Sequence, residues 1–459
     1  MVTTNVTTSD KVPSTLNTND TSAPSISAIP PLPILIAGGG CVGLFLALLL
    51  AQSSIPNKII VIEPQQPDLT STRAIAHQPP TYPILSKVQG LLPEFIKAGS
   101  LSEGLCFRTS VENGSKVIAG KTFDNSGEGM KGKGQLLLPQ GKFQEILMGR
   151  LGGLKDEVEV RIGFSVASCK ASENSVSVQI TSTSSPHSAT EEQQQEEEGA
   201  SVDAAYLIDA SGSHSIIRKQ LGVSLDGETL DAQLVATDLY FDFDAHNFSD
   251  ANFIIDPLNY GLIGRISHAT DTQPALWRVS YGVPLGVSED EIRETVDEKL
   301  ALMLPNQRRY KQGDKKAYEV VRIAPYKAQQ RLATTMYKYP RVCLVGDAAH
   351  LTNPYAGLGL ASGIADASSL SEVLIRILNN QASDAEKLLS AWNEATRKKF
   401  LDVVDKPSRM AYKRVKSDVS TEEKIKELMS RDPLVNALKS GMPVMPPSLE
   451  TKGEELEGW

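Results

Sequence analysis

Polar and apolar positions divide the chain into stretches of different character. Residues 1–31 are rich in Ser, Thr, Asn and Pro and almost free of apolar side chains. Such a segment cannot bury enough surface to offset its ordering entropy, so a disordered tail is expected there. From Pro33 the pattern changes. Pro33–Ala37 is a short apolar run, followed by a glycine turn and an apolar helix over Val42–Gln52, and Lys58–Glu63 (KIIVIE) is a second run. Continuous rather than alternating apolar residues mark parallel strands covered on both faces. Strand, helix and strand over about thirty residues make a βαβ unit.

Further on, QLLLPQGKFQEILMGRL, ending at Leu151, leads from a strand-like start into an amphipathic helix. Val158–Arg161, Ser165–Ser172 and Val176–Thr181 read as strands of a small sheet. Ser184–Gly199 is acidic and Gln-rich, the composition of a solvated hairpin insertion. Val202–Ala210 then returns as a strand to the first sheet. Between Leu234 and Val283 the runs VATDLYFDF, ANFIIDP, YGLIGRIS and LWRVSYGVP alternate with turn residues and predict an antiparallel sheet, hence a second domain. A helix over Ser288–Met303 opens with a capping signal. Tyr318–Ile323 closes the second sheet and Arg341–Val345 rejoins the first. Long helices follow over Leu358–Asn379 and Glu386–Met410, and Pro433–Trp459 reads as irregular.

Composition narrows the function. A net charge of −9 leaves no basic face for nucleic acid. Cys41, Cys106, Cys169 and Cys343 form no C-x-x-C pair, and the six histidines (77, 187, 214, 246, 268 and 350) have no metal spacing. No disulfide framework and no metal site are expected, and a reducing, cytoplasmic setting is the default. Ile34–Ala51 is apolar but interrupted by four glycines and only about eighteen residues long, so no membrane span is expected.

The glycines have a better explanation. Gly38-x-Gly40-x-x-Gly43 directly follows a strand and opens a helix. Gly38 permits the tight turn, Gly40 lets a pyrophosphate approach the backbone, and Gly43 permits close helix–strand packing. The helix N-terminus offers free N–H groups to phosphate. Glu63 ends the next strand, where its carboxylate accepts hydrogen bonds from a ribose diol, which favours FAD or NAD over NADP.

Residues 341–363 read RVCLVGDAAHLTNPYAGLGLASG. This segment resembles the GD motif of the group A flavin monooxygenases, the para-hydroxybenzoate-hydroxylase-like family. The resemblance spans most of residues 33–410 and implies an α/β fold: a Rossmann-type FAD-binding domain, an antiparallel-sheet substrate domain and C-terminal helices. On that reading residues 32–233, including the insertion 184–199, are the first part of the FAD domain. Residues 234–340 form the substrate domain, 341–380 the second FAD part, and 381–459 a helical region and tail. Gly346 and Asp347 would meet the ribitol of FAD, and Pro354, Gly357 and Gly359 would lead to a helix whose N-terminus faces the flavin. Leu207–Arg218 (LIDASGSHSIIR) is similar to the family's DG segment, with Ser211 where an Asp is usual; that segment is tied to nicotinamide use. Arg73 matches a family arginine near the flavin, and Gln140 a position used against the pyrophosphate.

The resemblance implies a monooxygenase that uses NADPH or NADH and O2 to hydroxylate or epoxidise an aromatic, indole or polyketide-like small molecule, through a flavin C4a-hydroperoxide. Baeyer–Villiger oxygenation, a reductase or dehydrogenase of the same fold, and a flavin-binding protein without turnover are the alternatives. A monomer or homodimer is expected, and the tail and insertion have the style of a fungal secondary-metabolism enzyme. Polar candidates on the second sheet are Tyr240, Tyr260, Arg265, Arg278 and Tyr281. Tyr240, which shares a strand face with Asp238 and Asp242, and Arg278 are favoured as catalytic groups.

Overall fold

Ile34–Ala37 is the buried middle of a six-stranded sheet. Its neighbours are Tyr206–Asp209 and Ile59–Glu63, in register from Ile34 to Tyr206 and to Ile59. Val342–Leu344 and Val158–Ile162 add parallel strands outside these, and the antiparallel pair Tyr337–Lys338 forms one edge. In this computed structural model the described residues are 31–126, 129, 132–183, 200–307, 316–442 and 447–459. The tail of residues 1–30 and the acidic insertion 184–199 lie outside them.

The continuous apolar runs are explained by cover on both faces. Ile34, Ile36, Ile59 and Val61 pack with the helices Cys41–Ala51, Gln140–Leu151 and Gly359–Leu378. Leu35, Ala37, Ile60 and Ile62 instead meet Val166, Val176 and Val178 of a three-stranded sheet. That small sheet is made of Phe164–Ala171, Val176–Ser182 and Ala200–Ala204. Val158–Ile162, expected within it, extends the parallel sheet instead. Gly163 (φ 88°) makes the turn that passes the chain from one sheet to the other.

The second sheet has eight strands and is larger than the pattern suggested. Its order is His350–Leu351, Glu319–Ala333, Leu225–Tyr240, Leu276–Pro284, Gly261–Ser267, Ala251–Ile255, Gly104–Thr109 and Val117–Thr122. The Gly104–Thr122 hairpin belongs here although it lies within residues 32–233, because Gly104–Thr109 pairs in parallel with Ala251–Ile255. The two central strands also overrun their expected ends. Leu225–Tyr240 begins in the polar stretch LDGETLD, where alternation is weak, and Glu319–Ala333 continues to Ala333. Both reach into the first lobe, where Arg331 and Leu332 pair with Leu351 and His350. Residues 31–459 accordingly form one compact unit.

One face of the large sheet packs on the helix Glu289–Met303, which Ser288 caps as expected by accepting the Glu291 N–H. The other face carries C-terminal helices. The long helix expected over Glu386–Met410 is instead Ala385–Lys399, a π-helical turn Phe400–Asp405, and Lys406–Val415. Pro433–Lys439 is helical rather than irregular because Asp432 caps its first turn, accepting N–H bonds from Leu434 and Val435. Buried Arg414 grips the same carboxylate in a bidentate pair, joining the two helices.

His77 sets a pH limit on this fold. It is buried, its Nε2 lies 2.9 Å from the Leu138 carbonyl, and its ring stacks on Phe143. Burial pulls its pKa down to about 4. The unfolded chain takes up a proton near pH 6.5 that the native state refuses until about pH 4, so stability is lost as pH falls through that window. His77 contributes roughly 3 kcal/mol to this loss. His77→Gln, which keeps a donor for Leu138, should flatten the decline in urea unfolding experiments between pH 6.5 and 4.

Candidate active site

At the C-terminal ends of the parallel strands, backbone approaches backbone too closely for side chains. Gly38 has φ 109°, and a Cβ there would lie 2.4 Å from the Ala210 carbonyl oxygen. A Cβ on Gly43 would lie 2.0 Å from the Gly38 oxygen. Gly40 differs: a Cβ there would meet nothing within 4 Å, so its face opens on space at the N-terminus of the helix Cys41–Ala51. That is the cradle a pyrophosphate needs. Glu63 stands beside it, its carboxylate accepting the Gly39 N–H at 2.6 Å and the Gln65 N–H at 3.2 Å.

Gln144, one turn beyond Gln140, donates to the Gly39 carbonyl at 3.2 Å and is buried. Gln140 opens the same helix and donates its backbone N–H to the Ala74 carbonyl. A buried glutamine on the helix face that packs on the glycine turn was the available signal for Gln144. Asp209 ends a central strand and accepts from Ser211 N and Oγ and from Ser215 Oγ, at 2.5–3.1 Å. Arg218 donates to the Ala348 carbonyl. The DASG segment is therefore a self-bonded turn that ties the first lobe to the GD motif.

Gly346 takes φ 60°, and its N–H donates to Asp366 Oδ2 at 3.0 Å. Asp347 opens onto the cleft but is walled by protein, which lifts its carboxyl above the ordinary range; His350 partly opposes this. Asn353 caps the short turn Pro354–Ala356, and Gly357 (φ 65°) leads to the helix that opens at Gly359. A Cβ on Gly357 would collide with Gln78 Nε2. Buried Gln330 fixes this loop from the other lobe. Its Oε1 accepts Asn353 N, Asn353 Nδ2 and Thr352 Oγ1, and its Nε2 donates to Asp405 of the π-helical turn.

Beyond the loop, aromatic hydroxyls gather where the sheet meets the helix Lys406–Val415. Tyr355 is buried with its ring centroid 6.2 Å from Tyr260 and 5.8 Å from Tyr412. Its hydroxyl has no hydrogen-bond partner among the described residues. Tyr326 flanks the same group and is partly exposed; enclosure of its phenol pushes its pKa up to about 12, against the pull of Arg278. Tyr260 Oη lies 3.4 Å from Tyr412 Oη, which donates to Asp231 at 2.5 Å, and Lys416 holds the other Asp231 oxygen at 2.6 Å.

Arg278 is committed elsewhere. Its guanidinium pairs with Asp238 at 2.7 and 3.0 Å and donates to Thr72 Oγ1 and the Arg73 carbonyl. It clamps the loop that carries Arg73, whose own side chain is exposed. Tyr240 ends its strand between Leu276 and Glu319, two strand positions beyond Asp238 and away from the tyrosine group. Gly38, Gly39, Gly43 and Glu63 thus meet at the start of the first helix, and Gly346 of the GD motif lies against Val42 of that helix, whereas Tyr240 stands at a strand end of the second sheet. Tyr326, Tyr355 and Tyr412 were missed because each lies outside the four strands searched for polar groups.

A family model described as FAD binding domain matches residues 32–406. The chain belongs to this FAD-binding family. It is 32% identical over 369 residues to para-nitrophenol 4-monooxygenase of Pseudomonas sp. (strain WBC-3), covering 80% of this chain and 83% of the relative. With 6-hydroxy-3-succinoylpyridine 3-monooxygenase of Pseudomonas putida it shares 31% identity, over 81% and 86% of the two chains. The crystal structure of p-nitrophenol 4-monooxygenase from Pseudomonas putida DLL-E4 superposes with a TM-score of 0.74 at 28% identity, over 89% and 94%. The fold is para-hydroxybenzoate-hydroxylase-like, FAD is the cofactor, and this member of the FAD-binding family is a flavin-dependent monooxygenase. Among the described residues no helix is long and apolar enough to cross a membrane.

Glu63→Ala removes the charged acceptor beside the cradle. FAD should bind roughly ten- to a hundred-fold more weakly, as expected for losing a hydrogen bond to a charged group. Quenching of flavin fluorescence by the apoprotein measures this.

Proposed function

We propose that this enzyme hydroxylates a phenol-type aromatic ring and that Tyr260, Tyr412 and Asp231 carry the phenolic proton to solvent. The observation that carries the reading is the hydrogen-bonded line from buried Tyr260 through Tyr412 to Asp231, a carboxylate at the surface. The names of the two relatives support the substrate class, since both describe oxygenation of a hydroxyl-bearing six-membered aromatic ring. NADPH or NADH is the reductant in this reading.

The residues around the cleft fit FAD: Gly40 and the first helix for the pyrophosphate, Glu63 for the ribose, Asp347 and the helix from Gly359 for the flavin end. When bound there, the cofactor supplies electron transfer from NAD(P)H and activation of O2 for delivery of one oxygen atom to the ring. The protein must then make the ring electron-rich and keep water out. Tyr355, buried and unpartnered, donates to the substrate oxygen. That oxygen's proton passes to Tyr260 as the Tyr260 proton moves to Tyr412 and the Tyr412 proton to Asp231, leaving a phenolate in the cleft. The hydrogen bond from Lys416, followed by that from Tyr412, holds the Asp231 carboxyl below the usual range, so Asp231 passes the proton to water rather than keeping it. The Tyr260–Tyr412 separation of 3.4 Å is long for a hydroxyl pair and tightens when substrate is bound.

Tyr412→Phe breaks the line without leaving Asp231 unpaired, because Lys416 remains. With a phenol as substrate, kcat at pH 7 should fall at least about tenfold, in the range of lost general acid–base catalysis. It should recover as pH rises toward the phenol's own pKa. A pH–rate profile for Tyr412→Phe identical to that of the wild type rejects the relay. NAD(P)H oxidation by the wild type without any oxygenated product, across a panel of phenols and hydroxypyridines, rejects the hydroxylation itself.

A further inference from the structure

At the GD motif lies a buried imidazole–carboxylate pair that the chemistry above does not use. His350 and Asp366 are both almost wholly buried, and His350 Nε2 lies 2.6 Å from Asp366 Oδ2. The same carboxylate oxygen accepts the Gly346 N–H. The imidazole is stacked 4.5 Å from the ring of Phe400, the first residue of the π-helical turn, at an interplanar angle of 21°. A π-turn adds a residue to the helix and re-aims its side chains. Here it brings Phe400 onto His350 and Asp405 onto Gln330. The imidazole is therefore fixed on one face by an aromatic ring and at one nitrogen by the carboxylate that also holds the Gly346 N–H.

We propose that His350 is a positioning residue for FAD: as an imidazolium paired with Asp366, it holds the Gly346–Asp347 turn in the shape that binds the cofactor. Burial works against a charge on the ring, but the charge and hydrogen bond of Asp366, with the charge of Asp347, outweigh it and lift the imidazole's pKa above its ordinary value. The other charged groups bonded to the adjoining backbone are Arg218, on the Ala348 carbonyl, and Arg397, on the Ala333 carbonyl. Without the second proton the ring can still donate its Nε2–H to Asp366, but the buried carboxylate loses its cation and is held only by neutral donors, this N–H and that of Gly346. The turn then relaxes, and Asp347 and the helix opening at Gly359 lose their alignment toward the cleft. The inference rests on FAD binding and is independent of the tyrosine relay.

Two measurements on the apoprotein test it. In nitrogen–proton correlation spectra, the His350 ring should have both nitrogens protonated at pH 7.5; a neutral ring there overturns the proposal. FAD affinity, read from flavin fluorescence quenching, should weaken at least tenfold in His350→Gln, whose amide keeps a donor but no charge. The double variant His350→Gln/Asp366→Asn replaces the ion pair by two amides able to bond each other and still accept the Gly346 N–H. It should recover affinity to within about threefold of wild type. Native affinity in His350→Gln, or no recovery in the double variant, contradicts the positioning role. A fault in the proton relay alone would leave both readouts unchanged.

Discussion

The carbonyl oxygen of Ala210 lies 2.4 Å from the point a Cβ on Gly38 would occupy, and the Gly38 oxygen lies 2.0 Å from the corresponding point on Gly43. Three segments of backbone meet there: the ends of two parallel strands and the start of the helix Cys41–Ala51. Because no side chains separate them, the helix N-terminus reaches the sheet edge with its N–H groups free. Gly40 then opens on space rather than protein, and Glu63 is drawn close enough to accept the Gly39 N–H. The entirely apolar helix that follows, buried along almost its whole length, anchors this arrangement in the main core.

A dinucleotide cradle alone does not make a monooxygenase; the flavin end must meet a substrate lobe. Two long strands, Leu225–Tyr240 and Glu319–Ala333, run between the lobes, and Gln330 near the end of one fixes the loop that follows the GD motif. The helix Lys406–Val415 packs on this lobe through Ala411, Tyr412 and Val415. The buried Arg414–Asp432 pair sets the helix that carries Tyr412, and Asp256 donates its N–H to the Val415 carbonyl at the end of that helix. Replacing one partner of such a pair leaves a buried charge without compensation, so the placement of Tyr412 depends on it.

The first lobe was legible from sequence because its physics is local. Strands covered on both faces read as unbroken apolar runs, and the glycines and Glu63 lie at fixed distances along one βαβ unit. The second lobe was partly legible. Four of its strands are set apart by turn residues, but the Gly104–Thr122 hairpin joins the sheet through a long-range parallel pairing that leaves no local mark. LDGETLD conceals the start of a strand because its exposed, polar positions lie where the strand leaves the core. The tyrosine group was legible only in Tyr260: Tyr326, Tyr355 and Tyr412 come from separate elements, and only the folded chain brings the rings of Tyr355 and Tyr412 to Tyr260. Arg278, favoured from sequence as a catalytic group, has Asp238 and the Thr72–Arg73 loop as its partners.

Oxygen transfer to an aromatic ring is the reaction on which the proposed roles of these residues depend. The most direct measurement is the fate of isotopically labelled O2 when the FAD-loaded enzyme turns over with NAD(P)H and a phenol such as 4-nitrophenol. Mass spectrometry should find one labelled oxygen atom in the aromatic product, in step with NAD(P)H consumed. Consumption of NAD(P)H that yields only labelled hydrogen peroxide, with the phenol recovered unchanged across a panel of such rings, would contradict the account.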